Sequence, residues 1–200
     1  MTQNAIDNAE IVKELRGQTG AGIMDCKRAL QEAKGNVQTA KDLLRKRGFE
    51  IAAKKAGRDA KEGQIFSYIH LGGKIGVLVE INCETDFVAR NEDFQKFGRD
   101  IAMQIAASHP LFVSRADLDA SWLEKEKEVF RAQIKDKPAQ IQDQIINGKL
   151  EKRYQEVCLL DQKFIKNEDI TIQDHLTQIV SKVGENVIIK RFRRFEIGSE

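Results

Sequence analysis

At Gly63 the apolar residues of this 200-residue chain change their spacing, and no other feature confines the fold as tightly. Before that point they recur every three to four residues, as on one face of a helix. Just after it they recur every second residue, as on one face of a strand. "QIFSYIHL" (64–71) alternates Ile65, Ser67 and Ile69 with Phe66, Tyr68 and His70. "GGK" can turn the chain, and "IGVLVEINCE" (75–84) returns as a second strand. Helical and strand periods in separate stretches predict an α+β fold, with an antiparallel sheet covered by helices.

The helical stretch divides into three. Asp7 is a candidate N-cap with Glu10 three residues later, and Ile11, Val12 and Leu15 share a face. "QTGAG" (18–22) breaks that helix. Ile23, Cys26, Leu30 and Ala33 resume the period, with Gly35 expected at the C′ stop. Asn36 then caps a third helix with a Val37, Ala40, Leu44 stripe, expected to end at Gly48. The expected organisation is a three-helix domain over 1–50, a charged, partly helical linker over 51–62, and an α+β core over 63–200.

Within that core, Asn91, Glu92 and Asp93 make an acidic helix start. Phe94, Phe97, Ile101 and Ile105 follow at helical spacing until "SHP" (108–110). A helical insertion is expected at about 115–170, with Pro138 in a first turn and a break at "NGKL" (147–150). Thr171 caps a last helix ending at Gly184. The β-branched and aromatic run "NVIIKRFRRFEIG" (186–198) reads as the third strand.

Several functions are disfavoured. The net charge of +2 creates no global field for nucleic acid. "MTQNAIDNAEIVKELRG" has no apolar signal core, and no later window approaches a membrane span. Cys26, Cys83 and Cys158 lack C-x-x-C spacing, which fits buried thiols in a reducing cytoplasm. His70, His109 and His175 lie near no paired ligands, so no metal is assigned. The phosphate-loop pattern is absent, and "GQTGAG" (17–22), without a bracing strand, reads as a tight turn. No pairing of nucleophile with base stands out, so no catalytic residue is assigned. Two basic stretches, 45–61 and 190–194, could touch RNA phosphates, and an RNA-binding module is the alternative reading.

"INCETDFVARN" (81–91) is the unusual segment. It hands a buried-looking strand directly to an acid and a large aromatic, Asp86 and Phe87. Either Phe87 begins the packing of the next helix, or Val88 does so and Phe87 stands at an exposed corner. A rigid corner aromatic suits insertion into a partner's pocket. Composition leaves the two readings level.

"ELRGQTGAGIMDCKRAL" (14–30) and "GVLVEINCETDFVARNEDF" (76–94) closely resemble the two signature regions of the bacterial elongation factor Ts family. They stand in the family's order, separated by "AAKKAGR" (52–58), and the resemblance runs on weakly to "RFEIG" (194–198). It implies a ubiquitin-associated-like three-helix domain before the α+β core. It also implies a cytoplasmic guanine-nucleotide exchange factor of translation, without catalytic chemistry or cofactor. The implied partner is elongation factor Tu, GDP-bound and nucleotide-free, with no membrane and no direct nucleic-acid contact. In the family the T-D-F-V tetrapeptide enters the partner's GTPase domain beside its magnesium site; the matching positions are Thr85, Asp86, Phe87 and Val88. The N-terminal motif's contacts match Arg16, Ile23 and Met24, and a core-strand histidine of longer members matches His70 in "SYIHLGGKIGVLV" (67–79). Longer members have a duplicated core and a projecting coiled coil. This chain has room for one sheet, which leaves a homodimer open.

Overall fold

The computed structural model describes residues 9–135 and 137–199. The Asp7 cap expected ahead of the first helix lies outside them. Two compact units can be separated by their internal contacts. The first takes in the chain up to Ile65 with Glu80–Gly98 and Asp174–Ile189; the second takes in Phe66–Val79, Arg99–Gln173 and the chain from Lys190. The architecture is mixed helix and sheet, with an antiparallel sheet of three strands, as the change of period predicts.

The first unit contains α1 (Ala9–Thr19), α2 (Ile23–Glu32) and α3 (Val37–Lys55). Val12, Leu15, Cys26, Leu30, Ala40 and Leu44 close into a single apolar cluster, so the helical stripes meet where their spacing puts them. The stop after α2 falls one residue earlier than expected. Lys34 occupies the left-handed C′ position at φ 50°, and Gly35 follows at φ 83°. Gly35 N–H donates to Leu30 C=O at 2.9 Å and Lys34 N–H to Gln31 C=O at 3.0 Å, which completes a Schellman stop. Asn36 caps α3 by accepting from Thr39 N–H at 2.9 Å.

Gly48 does not end α3, which runs on to Lys55. A Cβ at Gly48 would come within 3.2 Å of the Thr177 methyl on α8 (Ile172–Val183). The missing side chain lets another helix pass close, offsetting the ~1 kcal/mol that glycine costs inside a helix. Arg45 on α3 grips Asp174 with two hydrogen bonds, at 2.9 and 3.1 Å, and Lys55 donates to Gly184 C=O at 2.6 Å.

β1 (Glu62–Ile69), β2 (Ile75–Cys83) and β5 (Val187–Glu196) form the sheet in the order β1-β2-β5. Gly63 is obligatory at its edge, since at φ 140° a Cβ would sit 2.2 Å from the Ile81 carbonyl oxygen. Phe66, Val77, Val79, Ile81 and Cys83 are buried, whereas Ile65, Ile69 and Leu78 are exposed. A short helix, α4 (Asp86–Ala89), leads into α5 (Glu92–Ser108), whose Phe94, Phe97, Ile101 and Ile105 are all buried. Each contributes on the order of 1.5–3 kcal/mol by leaving water.

In the second unit α6 (Ala120–Gln133) and α7 (Ala139–Val157) pack Ile134, Ile146 and Leu150 together with Leu123, Phe130, Ile145 and Tyr154. The break expected at "NGKL" is absent. Asn147 and Gly148 face solvent, while Ile146 and Leu150, four apart, hold the inner face and keep the helix continuous. A hairpin of β3 (Lys163–Phe164) and β4 (Asn167–Thr171) leads directly into α8, within the stretch whose composition predicts helix. Its turn is fixed from a distance: Gln104 on α5 accepts from Ile165 N–H at 2.9 Å and donates to Lys163 C=O at 3.1 Å.

Candidate functional site

The segment after β2 is ordered by a pair of carboxylates. Glu185, just past the Gly184 stop of α8, accepts the backbone N–H groups of Glu84 and Thr85 on one oxygen, at 3.1 and 3.0 Å. Its other oxygen accepts the Thr85 hydroxyl at 2.7 Å. Glu84 reciprocates by accepting Asn186 N–H at 2.6 Å, and its second oxygen stands 3.5 Å from the Arg58 guanidinium. The Asn186 N–H, with Arg58 behind it, holds the Glu84 carboxyl below its ordinary value. Asn186 also donates from its side chain to Arg58 C=O at 2.8 Å.

Thr85 is extended, at φ −130° and ψ 156°, and caps α4. Its carbonyl accepts the Cys83 thiol at 3.1 Å and Ala89 N–H at 3.2 Å. Burial, then the Glu185 charge, pushes the Cys83 thiol up to about 11, so it stays protonated at neutral pH. Val88 is half-buried and Ala89 buried. Phe87 is 80% exposed. Of the two readings left level by composition, the structure has the exposed corner. Asp86, also half-exposed, accepts from Arg90 one turn on, at 2.7 Å.

Arg16, Ile23 and Met24 flank the tight turn between α1 and α2. Thr19 donates to Leu15 C=O at 2.7 Å, and Gly20 takes the left-handed φ of 68° that ends α1. Ile23 falls outside the stripe expected to bury it, being 55% exposed, and Met24 is 65% exposed. These residues and Thr85–Val88 belong to the same compact unit, whereas His70 falls in the other. His70 is exposed, with Nδ1 3.1 Å from the Tyr68 hydroxyl.

Most cations of the first basic stretch have partners within the chain. Arg45 binds Asp174, Arg47 binds Glu32, Lys55 binds Gly184, Arg58 faces Glu84 and Lys61 binds Asp59. In the second stretch Arg194 donates to Ala106 C=O and Glu196, while Lys190–Arg194 line an open cavity of about 360 Å³ with His109, Pro110 and Leu111. Among the described residues no three His, Cys, Asp or Glu side chains gather as a metal site would require, and no helix is long and apolar enough to cross a membrane. Nothing in the sequence singles out Glu185 or Asn186 as part of the exposed corner, and Glu84 lies in the segment singled out without any sign of its role. Arg90 alone has a local signal, its place four residues after Asp86.

The family model described as elongation factor TS matches residues 9–199. An elongation factor Ts of Carboxydothermus hydrogenoformans is 57% identical over 192 residues, covering 95% of this chain and 88% of that protein. One from Fervidobacterium nodosum is 55% identical over 193 residues, covering 96% of this chain and 98% of its own. One from Caldanaerobacter subterraneus subsp. tengcongensis is 54% identical over 193 residues, covering 96% of each.

Proposed function

Because the chain belongs to the elongation factor Ts family of translation elongation factors, we propose that it is the cytoplasmic guanine-nucleotide exchange factor of elongation factor Tu. It binds that GTPase with GDP and without nucleotide, disturbs its magnesium site, and lets GTP replace the GDP released. The observation that carries this reading is Phe87, a large apolar side chain left exposed on the short helix α4, whose N-cap residue Thr85 is bound by Glu185 and Cys83.

Exchange needs no catalytic base. It is a coupling free energy: a factor that binds the empty GTPase better than the nucleotide-bound one weakens the nucleotide by the same factor. Magnesium bridges phosphate oxygens within a near-ideal octahedral shell, so small displacements of that shell are costly. Burying Phe87 in the partner supplies on the order of 1.5–3 kcal/mol towards holding such a displacement. Thr85 and Val88 seat the wedge, and Asp86 brings a carboxylate to the partner's ligand network. Arg16, Ile23 and Met24, around the turn between α1 and α2, provide a separate grip, with His70 as a further contact.

The test is release of a fluorescent GDP from purified elongation factor Tu, with magnesium, with and without this protein. Acceleration that rises with protein concentration and saturates is expected. A release rate that this protein leaves unchanged would overturn the proposal.

A further inference from the structure

We propose that Glu185 is a positioning residue for exchange: by clamping Thr85 it sets the direction in which Phe87 leaves the protein. This rests on the exchange reading and goes beyond it, because Glu185 is separated by about a hundred residues from the segment it controls and has no part in the signature motif. α4 has four residues, far below the length at which a helix holds itself in water. Its direction is therefore inherited from its ends. At the C-terminal end Ala89 is buried; at the N-terminal end every polar group of Thr85 is occupied. Glu185 takes the N–H and the hydroxyl, and Cys83 and Ala89 share the carbonyl. Phe87, exposed between them, has little packing of its own to set its direction. Without the carboxylate, the backbone N–H groups of Glu84 and Thr85 and the Thr85 hydroxyl lose their partner, and α4 can swing about Ala89.

Glu185→Ala removes all three hydrogen bonds. With elongation factor Tu carrying fluorescent GDP, its maximal release rate should fall roughly tenfold, the lower end of the loss expected from removing the Phe87 ring itself. The concentration for half-maximal release should move less than about twofold, since the surface around Ile23 and Met24 is untouched. In a Phe87→Ala background, Glu185→Ala should add less than about twofold, because the two act in series. Glu185→Gln, whose amide oxygen can take both N–H groups while its NH2 meets the Thr85 oxygen, should recover at least half of the lost rate. In the isolated protein, Glu185→Ala should speed hydrogen exchange at the Glu84 and Thr85 amides roughly tenfold or more.

Equal losses from Glu185→Ala with and without Phe87 would overturn the inference, as would unchanged amide protection. Should Glu185→Ala unfold, Thr85→Val carries the test, because it deletes the hydroxyl end of the clamp at nearly constant volume. Its release rate must fall, and must not fall further when Phe87 is absent. If the wild-type protein accelerates release and these variants match it, this inference alone fails. If the wild-type protein does not accelerate release, the exchange reading fails and takes the inference with it.

Discussion

The Asp86 carboxylate and the Arg90 guanidinium lie one turn apart and share a hydrogen bond of 2.7 Å, with both side chains substantially exposed. An exposed pair of this kind is worth about 0.2–1 kcal/mol, so it restrains Asp86 without locking it. A partner can draw the carboxylate off Arg90 at small cost. Phe87, beside it, is held by its backbone. The corner thus combines an exposed apolar side chain with a weakly held charge, as the proposed wedge requires.

The pair leads to a prediction about which property of Asp86 matters. Asn keeps the shape and an oxygen acceptor but not the charge. If charge near the partner's magnesium ligands is the active property, Asp86→Asn and Asp86→Ala should slow stimulated GDP release equally, by roughly tenfold or ~1.4 kcal/mol. Arg90→Gln should leave the melting temperature within about 4 °C, as expected for removing an exposed pair. Nucleotide-release kinetics and thermal melts on the three variants check this. Retained activity in Asp86→Asn would assign the role to hydrogen bonding instead.

Ile23 and Met24 spend most of their surface in solvent, so they contribute little to the cluster around Leu15 and Leu30. Ile23→Ala with Met24→Ala should weaken binding to elongation factor Tu at least tenfold, corresponding to ~1.4 kcal/mol or more of lost burial. The melting temperature should stay nearly constant. Titration calorimetry and a melt on one sample decide between grip and core: a large melting shift with unchanged affinity would put both residues in the core.

The cysteines predict the alkaline limit of stability. Burial raises all three thiols above their ordinary 9.0, with Cys83 and Cys158 reaching about 11. The folded state holds these protons more tightly than the unfolded chain does. Their contribution is therefore complete below pH 9.0 and is lost as the pH rises towards about 11. Urea midpoints should fall across that window and stay level between pH 7 and 8.5 as far as these groups are concerned. Iodoacetamide should modify the thiols at neutral pH only after unfolding. Fast native-state labelling would contradict the buried placement.

Segments whose order comes from regular local spacing are legible in the sequence itself. Phe94, Phe97, Ile101 and Ile105 alternate by threes and fours, and all four are buried. Local preference misleads where a distant residue overrules it. Gly48 stays helical because α8 passes close to it, and "NGKL" stays helical because Ile146 and Leu150 face an apolar cluster. The β3–β4 hairpin depends on Gln104, some sixty residues earlier. In the candidate site, Phe87 stands out because a large aromatic at a strand end violates turn chemistry. Glu185 does not, being one of 31 acids with nothing nearby to distinguish it. A hydrogen-bonded clamp between distant segments leaves no periodic trace in either.

The final prediction isolates the action of Phe87. Its exposure means that Phe87→Ala should cost the free protein within about 0.5 kcal/mol, the range of ordinary surface substitutions. In the complex it removes the burial of an aromatic ring, so stimulated GDP release should slow roughly 10- to 100-fold, matching ~1.5–3 kcal/mol. If that energy is used to displace the magnesium shell, stripping the metal beforehand with a chelator accomplishes the same step by other means. The deficit of Phe87→Ala relative to wild type should then shrink to a few-fold when release is followed in excess chelator. A deficit that persists undiminished would mean that Phe87 supplies affinity alone and that magnesium is displaced by something else. Unfolding of the variant would mean that the ring belongs to the core despite its exposure.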